Sequence, residues 1–162
     1  MKEFEPTLVV WLDESGMNGN ERYEYGYCEK GERCHGSRPG NRGSRVSMVG
    51  ALRNNKVIAS MVYEGHCNAL VFEAYVEHCL LPVLSPGQII VMDNVSFHYS
   101  EKAKKLIEAA GCQIKFLPVY SPDLNPIEHH WHALKNKIRK ILDTSISLFE
   151  AMCQVLKECQ AL

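Results

Sequence analysis

The stretch "SPDLNPIEHHWHALKNKIRK", residues 121–140, predicts a loop that leads into an amphipathic helix. Pro126 suits the first helical position, because an N–H at that position would have no partner within the helix. Apolar residues then recur at helical spacing from Ile127 to Ile141. Glu128, in the first turn, could be a capping-box residue that binds the N–H of Asn125, or it could have a chemical role.

Two further acids stand at the ends of predicted buried strands. The apolar run "TLVVWLDES", residues 7–15, reaches Asp13, and "QIIVMDN", residues 88–94, reaches Asp93. Taken singly, each aspartate could be an ordinary turn residue. If the two strands are parallel neighbours, however, Asp13, Asp93 and Glu128 meet at one edge of a sheet. Glu14 is expected to point away from them, since successive strand residues face opposite sides.

The remaining pattern predicts one α/β domain over residues 1–162. Residues 45–65 form two strands joined at Asn54 and Asn55, which tolerate the positive φ of a tight turn. A further strand is predicted within residues 22–31 and another within residues 112–119. Helices are predicted at residues 69–84, 101–110, 126–142 and 148–159. Antiparallel strands followed by helix-linked strands indicate a mixed sheet with helices on its faces.

Composition argues against a membrane-spanning protein and a disulfide-rich secreted protein. No apolar run approaches the ~20 residues that a membrane-spanning helix needs. Seven cysteines without paired close spacing are typical of a reducing compartment, so we expect a cytoplasmic protein. The formal net charge of -1 indicates little about partners, because the charges are unevenly distributed along the chain.

Basic residues form two groups that could contact a polyanion. Residues 30–45, "KGERCHGSRPGNRGSR", contain a single acid. The candidate phosphate contacts in this loop are Lys30, Arg33, Arg38, Arg42 and Arg45. Lys135 and Arg139 form a second group on the helix that begins near Pro126. The alternatives are a solvated loop for the first group and cations that stabilise a helix carboxyl end for the second.

The segments "LDES", "MDNVSFH" and "YSPDLNPIEHHW" resemble the catalytic core of mariner-type and bacterial insertion-sequence transposases of the DDE superfamily. Between Asp93 and Glu128 lie 34 residues, positions 94 to 127, a separation typical of that superfamily. The resemblance implies a ribonuclease H-like fold, a mixed five-stranded sheet with helices on both faces. It also implies that Asp13, Asp93 and Glu128 are the catalytic triad and bind two Mg²⁺ or Mn²⁺ ions.

By the same resemblance, Asn94 and His98 could support the metal site or the DNA, although His98 could equally be a structural hydrogen-bonding residue. The expected function is that of a transposase catalytic domain, which cleaves DNA at transposon ends and joins it to target DNA. The expected partners are DNA, a second copy of the chain and a separately encoded DNA-binding part. The alternatives are a catalytically silent fragment that binds DNA or dimerises, and another ribonuclease H-like nuclease.

His132, four residues after Glu128, could approach the metals or face solvent. His129 and His130 could be surface residues or DNA contacts, and a zinc-binding cluster is a further alternative.

Overall fold

The computed structural model describes residues 8–19, 30, 43–119, 121–142 and 146–160. The strand predicted within residues 22–31 lies outside these ranges, apart from Lys30. Arg33, Arg38 and Arg42 of the basic loop lie outside them as well.

A five-stranded mixed sheet forms the centre of the domain. Its strands are β1 (Val9–Asn18), β2 (Arg45–Arg53), β3 (Lys56–Glu64), β4 (Ile89–Met92) and β5 (Gln113–Phe116). Across the sheet their order is β3-β2-β1-β4-β5. β1 pairs antiparallel with β2, and β2 with β3, whereas β1 pairs parallel with β4, and β4 with β5. The predicted fold class is therefore confirmed.

Local sequence signals explain several element ends. Asn54 and Asn55 have φ values of 50° and 63° in the turn between β2 and β3. Ser100 accepts a hydrogen bond from the N–H of Ala103, as a helix cap does. Ser147 and Glu150 bind each other's backbone N–H groups, which confirms the predicted capping box.

Within the described ranges, four α-helices flank the sheet. They are α1 (Ala69–Tyr75), α2 (Glu101–Ala109), α3 (Ile127–Ile141) and α4 (Leu148–Gln160). The prediction of one helix over residues 69–84 was wrong in part, because α1 is followed by a π-helical turn, Val76–Leu80, and a 3-10 turn, Leu81–Val83. Pro82 has no N–H to donate to the fourth preceding carbonyl, so a regular α-helix cannot continue through it. Among the described residues, no helix is both long and apolar enough to cross a membrane.

Side chains alternate between two hydrophobic cores, one on each face of the sheet. Leu12 of β1 belongs to the core that contains Phe72 of α1 and Ile107 of α2. Met17, an odd-numbered residue of β1, belongs to the core that contains Trp131 of α3 and Val155 of α4. Asp13 is therefore on the α3 and α4 face and Glu14 on the α1 and α2 face.

Candidate active site

Three acids line one cavity at an end of the sheet. Asp13 lies within β1, Asp93 directly follows β4, and Glu128 is in the first turn of α3. All three line a cavity of about 340 Å³ together with Asn94 and Asn125. The strands β1 and β4 are parallel neighbours with Trp11 opposite Val91, so Asp13 lies level with Asp93 although β1 continues beyond it to Asn18. Residues that are far apart in the sequence are thus brought together by the strand order.

The capping role does not account for Glu128. Asn125 supports the start of α3 itself, since its Oδ1 accepts from the N–H of Ile127 at 3.4 Å. Its carbonyl oxygen accepts from the N–H of Glu128 at 3.2 Å. In the described part of the chain, no hydrogen bond joins the Glu128 carboxylate to the N–H of Asn125. The carboxylate is exposed and borders the cavity.

Asp13 is a buried acid in an unfavourable electrostatic environment. The residue is only 7% exposed. Burial, followed by the negative charges of Glu14 and Glu128, raises the pKa of Asp13 from 3.8 to about 7. The indole Nε1–H of Trp131 donates to its Oδ2 at 3.0 Å. A bound cation would relieve both the desolvation and the repulsion at this position.

His98 connects two acids on different strands. Its Nε2 lies 2.8 Å from Oε1 of Glu14. Its Nδ1 hydrogen-bonds to the carbonyl oxygen of Asp93 at 3.1 Å and lies 2.9 Å from Oδ1 of the same residue. Burial of the ring opposes its protonation, but the hydrogen bonds to Asp93 and Glu14 outweigh burial and raise the pKa of His98 to about 10. The imidazole is therefore charged at neutral pH, between Phe72 and Phe97 at ring distances of 4.6 and 4.7 Å.

The structure corrects the expectation for Glu14. Its side chain leaves β1 on the face opposite to Asp13, as strand alternation predicts, but it does not point away from the site. It lines a second cavity, of about 440 Å³, which Glu128 also borders. Through His98 it is connected to Asp93. Strand alternation determines only the face of β1 from which Glu14 projects, whereas His98, in the segment that follows β4, determines what Glu14 contacts.

Two of the predicted cationic residues, Arg45 and Lys135, line this second cavity. The Nε of Arg45 and the hydroxyl of Tyr63, which also faces the cavity, are buried and make no hydrogen bond of normal geometry with any residue that the structure describes. Gly16 leaves room for Arg45, because a Cβ at Gly16 would overlap the guanidinium group.

The other predicted cationic residues are placed differently. Lys30 is exposed in a turn. Arg139 is half-buried and donates to Oδ1 of Asn136 at 3.1 Å.

The histidines that follow Glu128 have separate surroundings. His129 is exposed. His130 lies 3.3 Å from the carbonyl oxygen of Asn55, in the turn between β2 and β3. The Nε2 of His132 lies 3.2 Å from Nδ2 of Asn136. Their contacts indicate packing and surface roles for His130 and His132.

The residues around the first cavity fit a divalent cation. Hard cations such as Mg²⁺ prefer oxygen ligands, and Asp13, Asp93 and Glu128 all provide carboxylate oxygens. Oδ1 of Asp93 is buried and lies 2.9 Å from Nδ1 of His98, whereas the Asp93 side chain as a whole is 41% exposed and borders the cavity. Asn94 also lines this cavity, and its Oδ1 accepts a hydrogen bond from the hydroxyl of Tyr99.

Most of the chain matches the model of a known protein family. The model of the DDE superfamily endonuclease family matches residues 8–149. The chain belongs to this family. The match includes all three acids of this DDE endonuclease domain. No curated protein sequence shows a significant match to it.

Solved structures share the fold of this DDE endonuclease domain at low sequence identity. The Mos1 transposase paired-end complex with left transposon end has a TM-score of 0.66 and 17% identity, over 96% of this chain and 55% of that one. The mariner Mos1 paired-end complex with Mg has a TM-score of 0.61 and 16% identity, over 99% and 56%. The catalytic core domain of BIV integrase has a TM-score of 0.56 and 11% identity, over 93% and 81%. The chain thus spans about half the length of the Mos1 chains.

Proposed function

We propose that this domain catalyses DNA strand cleavage and strand transfer as the catalytic domain of a transposase. The observation that carries the proposal is the meeting of Asp13, Asp93 and Glu128 around one cavity in a DDE endonuclease fold. The Mos1 structures that share the fold are complexes with transposon ends, which supports DNA as the substrate.

Asp13, Asp93 and Glu128 would bind two Mg²⁺ or Mn²⁺ ions, and Mos1 paired-end complexes have been determined with each metal. When bound, two such ions activate a water molecule or hydroxyl group and stabilise the leaving oxygen of a phosphodiester. The three carboxylates already border one cavity in the metal-free domain. Such preorganisation is how a protein contributes most to phosphoryl transfer.

His98 and Asn94 would support Asp93 rather than touch the substrate. His98 has both ring nitrogens committed to Asp93 and Glu14, so its charged ring restrains Asp93 from the protein side. Nδ1 of His98 also lies 2.9 Å from the buried Oδ1 of Asp93. Groups that orient metal ligands in this way typically change metal affinity or activity by about 10- to 100-fold when removed.

Arg45 and Lys135 would contact DNA phosphates in the second cavity, next to Glu128. Each phosphate contact releases counterions, so binding should weaken as salt is raised and should not depend on DNA sequence. The remaining candidates for such contacts are Lys30, Arg33, Arg38, Arg42 and Arg139. A homodimer and a separate part that recognises the transposon ends stay predictions, to be tested by light scattering with and without end DNA.

Nicking of supercoiled plasmid tests the proposal. Wild-type protein should nick DNA only when Mg²⁺ or Mn²⁺ is present. Asp93→Asn and Glu128→Gln should each lower the rate by at least about 100-fold, because metal catalysis contributes several kcal/mol. Asp123→Asn and Glu108→Gln, which make the same chemical changes at exposed positions, should not alter it.

Equal nicking by wild-type protein and Asp93→Asn would refute the enzymatic proposal. Metal-dependent cleavage of RNA–DNA hybrids or branched DNA, without joining of transposon ends, would instead favour another ribonuclease H-like nuclease. DNA binding without cleavage under any metal condition would favour a catalytically silent module.

A further inference from the structure

The buried hydrogen bond between Trp131 and Asp13 joins the helix that carries Glu128 to the strand that carries Asp13. The indole Nε1–H donates to Oδ2 of Asp13 at 3.0 Å across 118 positions of sequence. Trp131 is 1% exposed and belongs to the core between the sheet and the helices α3 and α4. It lies three residues after Glu128, at the spacing that places two side chains on one side of a helix.

The sheet has a space that matches this indole. Gly50 of β2 is the register partner of Asp13 in β1. A Cβ at Gly50 would lie 2.8 Å from the Cη2 of Trp131, closer than real contacts allow, and 3.2 Å from the carbonyl oxygen of Ala59. The ring therefore occupies the place that a side chain at Gly50 would fill, directly beside Asp13.

A second contact fixes the same helix to the same strand. Nδ2 of Asn125, which is 3% exposed, donates to the carbonyl oxygen of Leu12 at 3.3 Å. Asn125 precedes Glu128 by three residues and Trp131 follows it by three. Glu128 is thus held from both sides against the strand that carries Asp13.

We propose that Trp131 is a positioning residue for the metal site, and that its N–H sets the orientation of the Asp13 carboxylate relative to Glu128. The inference rests on the proposed metal role of these acids. A carboxylate with one oxygen fixed by a rigid donor cannot rotate freely, so less orientational freedom is lost when a cation binds. The alternative is structural: a buried indole N–H requires an acceptor, and Asp13 could simply be that acceptor.

Magnesium binding to the whole chain, measured by calorimetry without DNA, distinguishes these roles. Trp131→Phe removes the N–H, and replacement of Trp131 by 3-benzothienyl-alanine removes it while keeping the two-ring shape. Both should weaken Mg²⁺ binding by about 10- to 100-fold, as removal of other groups that orient metal ligands does. Trp11→Phe is the matched control, because Trp11 packs against the same core. It should change the affinity less than about threefold, within the range of small indirect effects.

Indole N–H resonances give a readout that does not require metal. The chain has two tryptophans, so two indole signals are expected, and the one absent from Trp131→Phe belongs to Trp131. Asp13→Asn should shift that signal far more than the signal of Trp11. Gly50→Ala should do the same, because its Cβ displaces the ring.

The outcomes separate this inference from the proposed function. If Asp13→Asn abolishes Mg²⁺ binding while the benzothienyl variant binds Mg²⁺ like wild type, the positioning role is refuted and the metal site stands. Equal loss of Mg²⁺ affinity in Trp11→Phe and Trp131→Phe would also refute the positioning role, because it would indicate a general effect on core packing. If wild-type protein binds no Mg²⁺, the proposed function and the positioning role both fail.

Discussion

Replacing Asp13 with asparagine should stabilise the metal-free domain at neutral and higher pH. The carboxylate is 7% exposed, and burial with the neighbouring charges of Glu14 and Glu128 raises its pKa from 3.8 to about 7. Asparagine has nearly the same shape and no charge, and its amide oxygen can still accept the hydrogen bond from Trp131. The substitution thus removes mainly the electrostatic cost.

The magnitude follows from the two pKa values of Asp13. Between pH 3.8 and about 7 the unfolded chain has lost the proton while the folded domain retains it, so the folded state binds more protons. Its stability must then fall as pH rises through this window. A pKa difference of about 3, at about 1.36 kcal/mol each, gives about 4 kcal/mol in total.

Urea unfolding of both proteins in the presence of a chelator measures this effect. The free energy of unfolding of Asp13→Asn minus that of wild type should be about 4 kcal/mol larger at pH ~8 than at pH ~4. Asp123→Asn, at an exposed position, should show almost no such change. Comparing the two pH values cancels any constant difference between aspartate and asparagine in packing.

Mg²⁺ provides a second arm of the same experiment. At pH ~8, the free energy of unfolding of wild-type protein should increase with the logarithm of the Mg²⁺ concentration once that concentration exceeds Kd. The same Mg²⁺ concentrations should stabilise Asp13→Asn much less. A difference between the two proteins that does not vary with pH would refute the argument that Asp13 is an electrostatically strained acid. Equal stabilisation of both by Mg²⁺ would refute its role as a ligand.

Three further predictions concern other parts of the domain. His98→Gln should destabilise the domain by about 2 to 4 kcal/mol in urea unfolding at neutral pH, because it leaves Glu14 and Asp93 without their cation. Since the pKa of His98 is raised to about 10, its contribution is complete below pH ~6.5 and is lost as pH rises through about 10, so the difference should shrink there. Ser147→Ala should cost about 1 kcal/mol in thermal unfolding, through loss of the cap of α4; no loss would show that the cap is not stabilising. Lys135→Gln should weaken duplex DNA binding equally for all sequences and reduce the slope of log K against log salt by about 0.9; an unchanged slope would exclude a phosphate contact.

The sequence by itself was sufficient to predict the local secondary-structure elements and the types of side chain available at the candidate site. Apolar runs that end in an acid predicted β4 and the first half of β1, and paired asparagines predicted the turn after β2. The predicted end of β1 at Asp13 was wrong, because the strand continues to Asn18 through its pairing with β2. Each of these signals acts over a few residues, so neighbouring residues are enough to produce it. The helix after Asn68 shows the limit, because Pro82 lies within the predicted helix and the regular α-helix ends before it.

Only the tertiary structure decided which of these groups meet. The contact of His98 with Glu14 spans 84 positions, and that of Trp131 with Asp13 spans 118. Such contacts depend on the strand order β3-β2-β1-β4-β5 and on which face each helix covers. The sequence does show that Trp131 lies three residues after Glu128 and that a glycine, Gly50, lies inside β2. These features indicate a contact with Asp13 only when the strand register places Gly50 opposite Asp13. That register is determined by the packing of the whole domain and not by neighbouring residues.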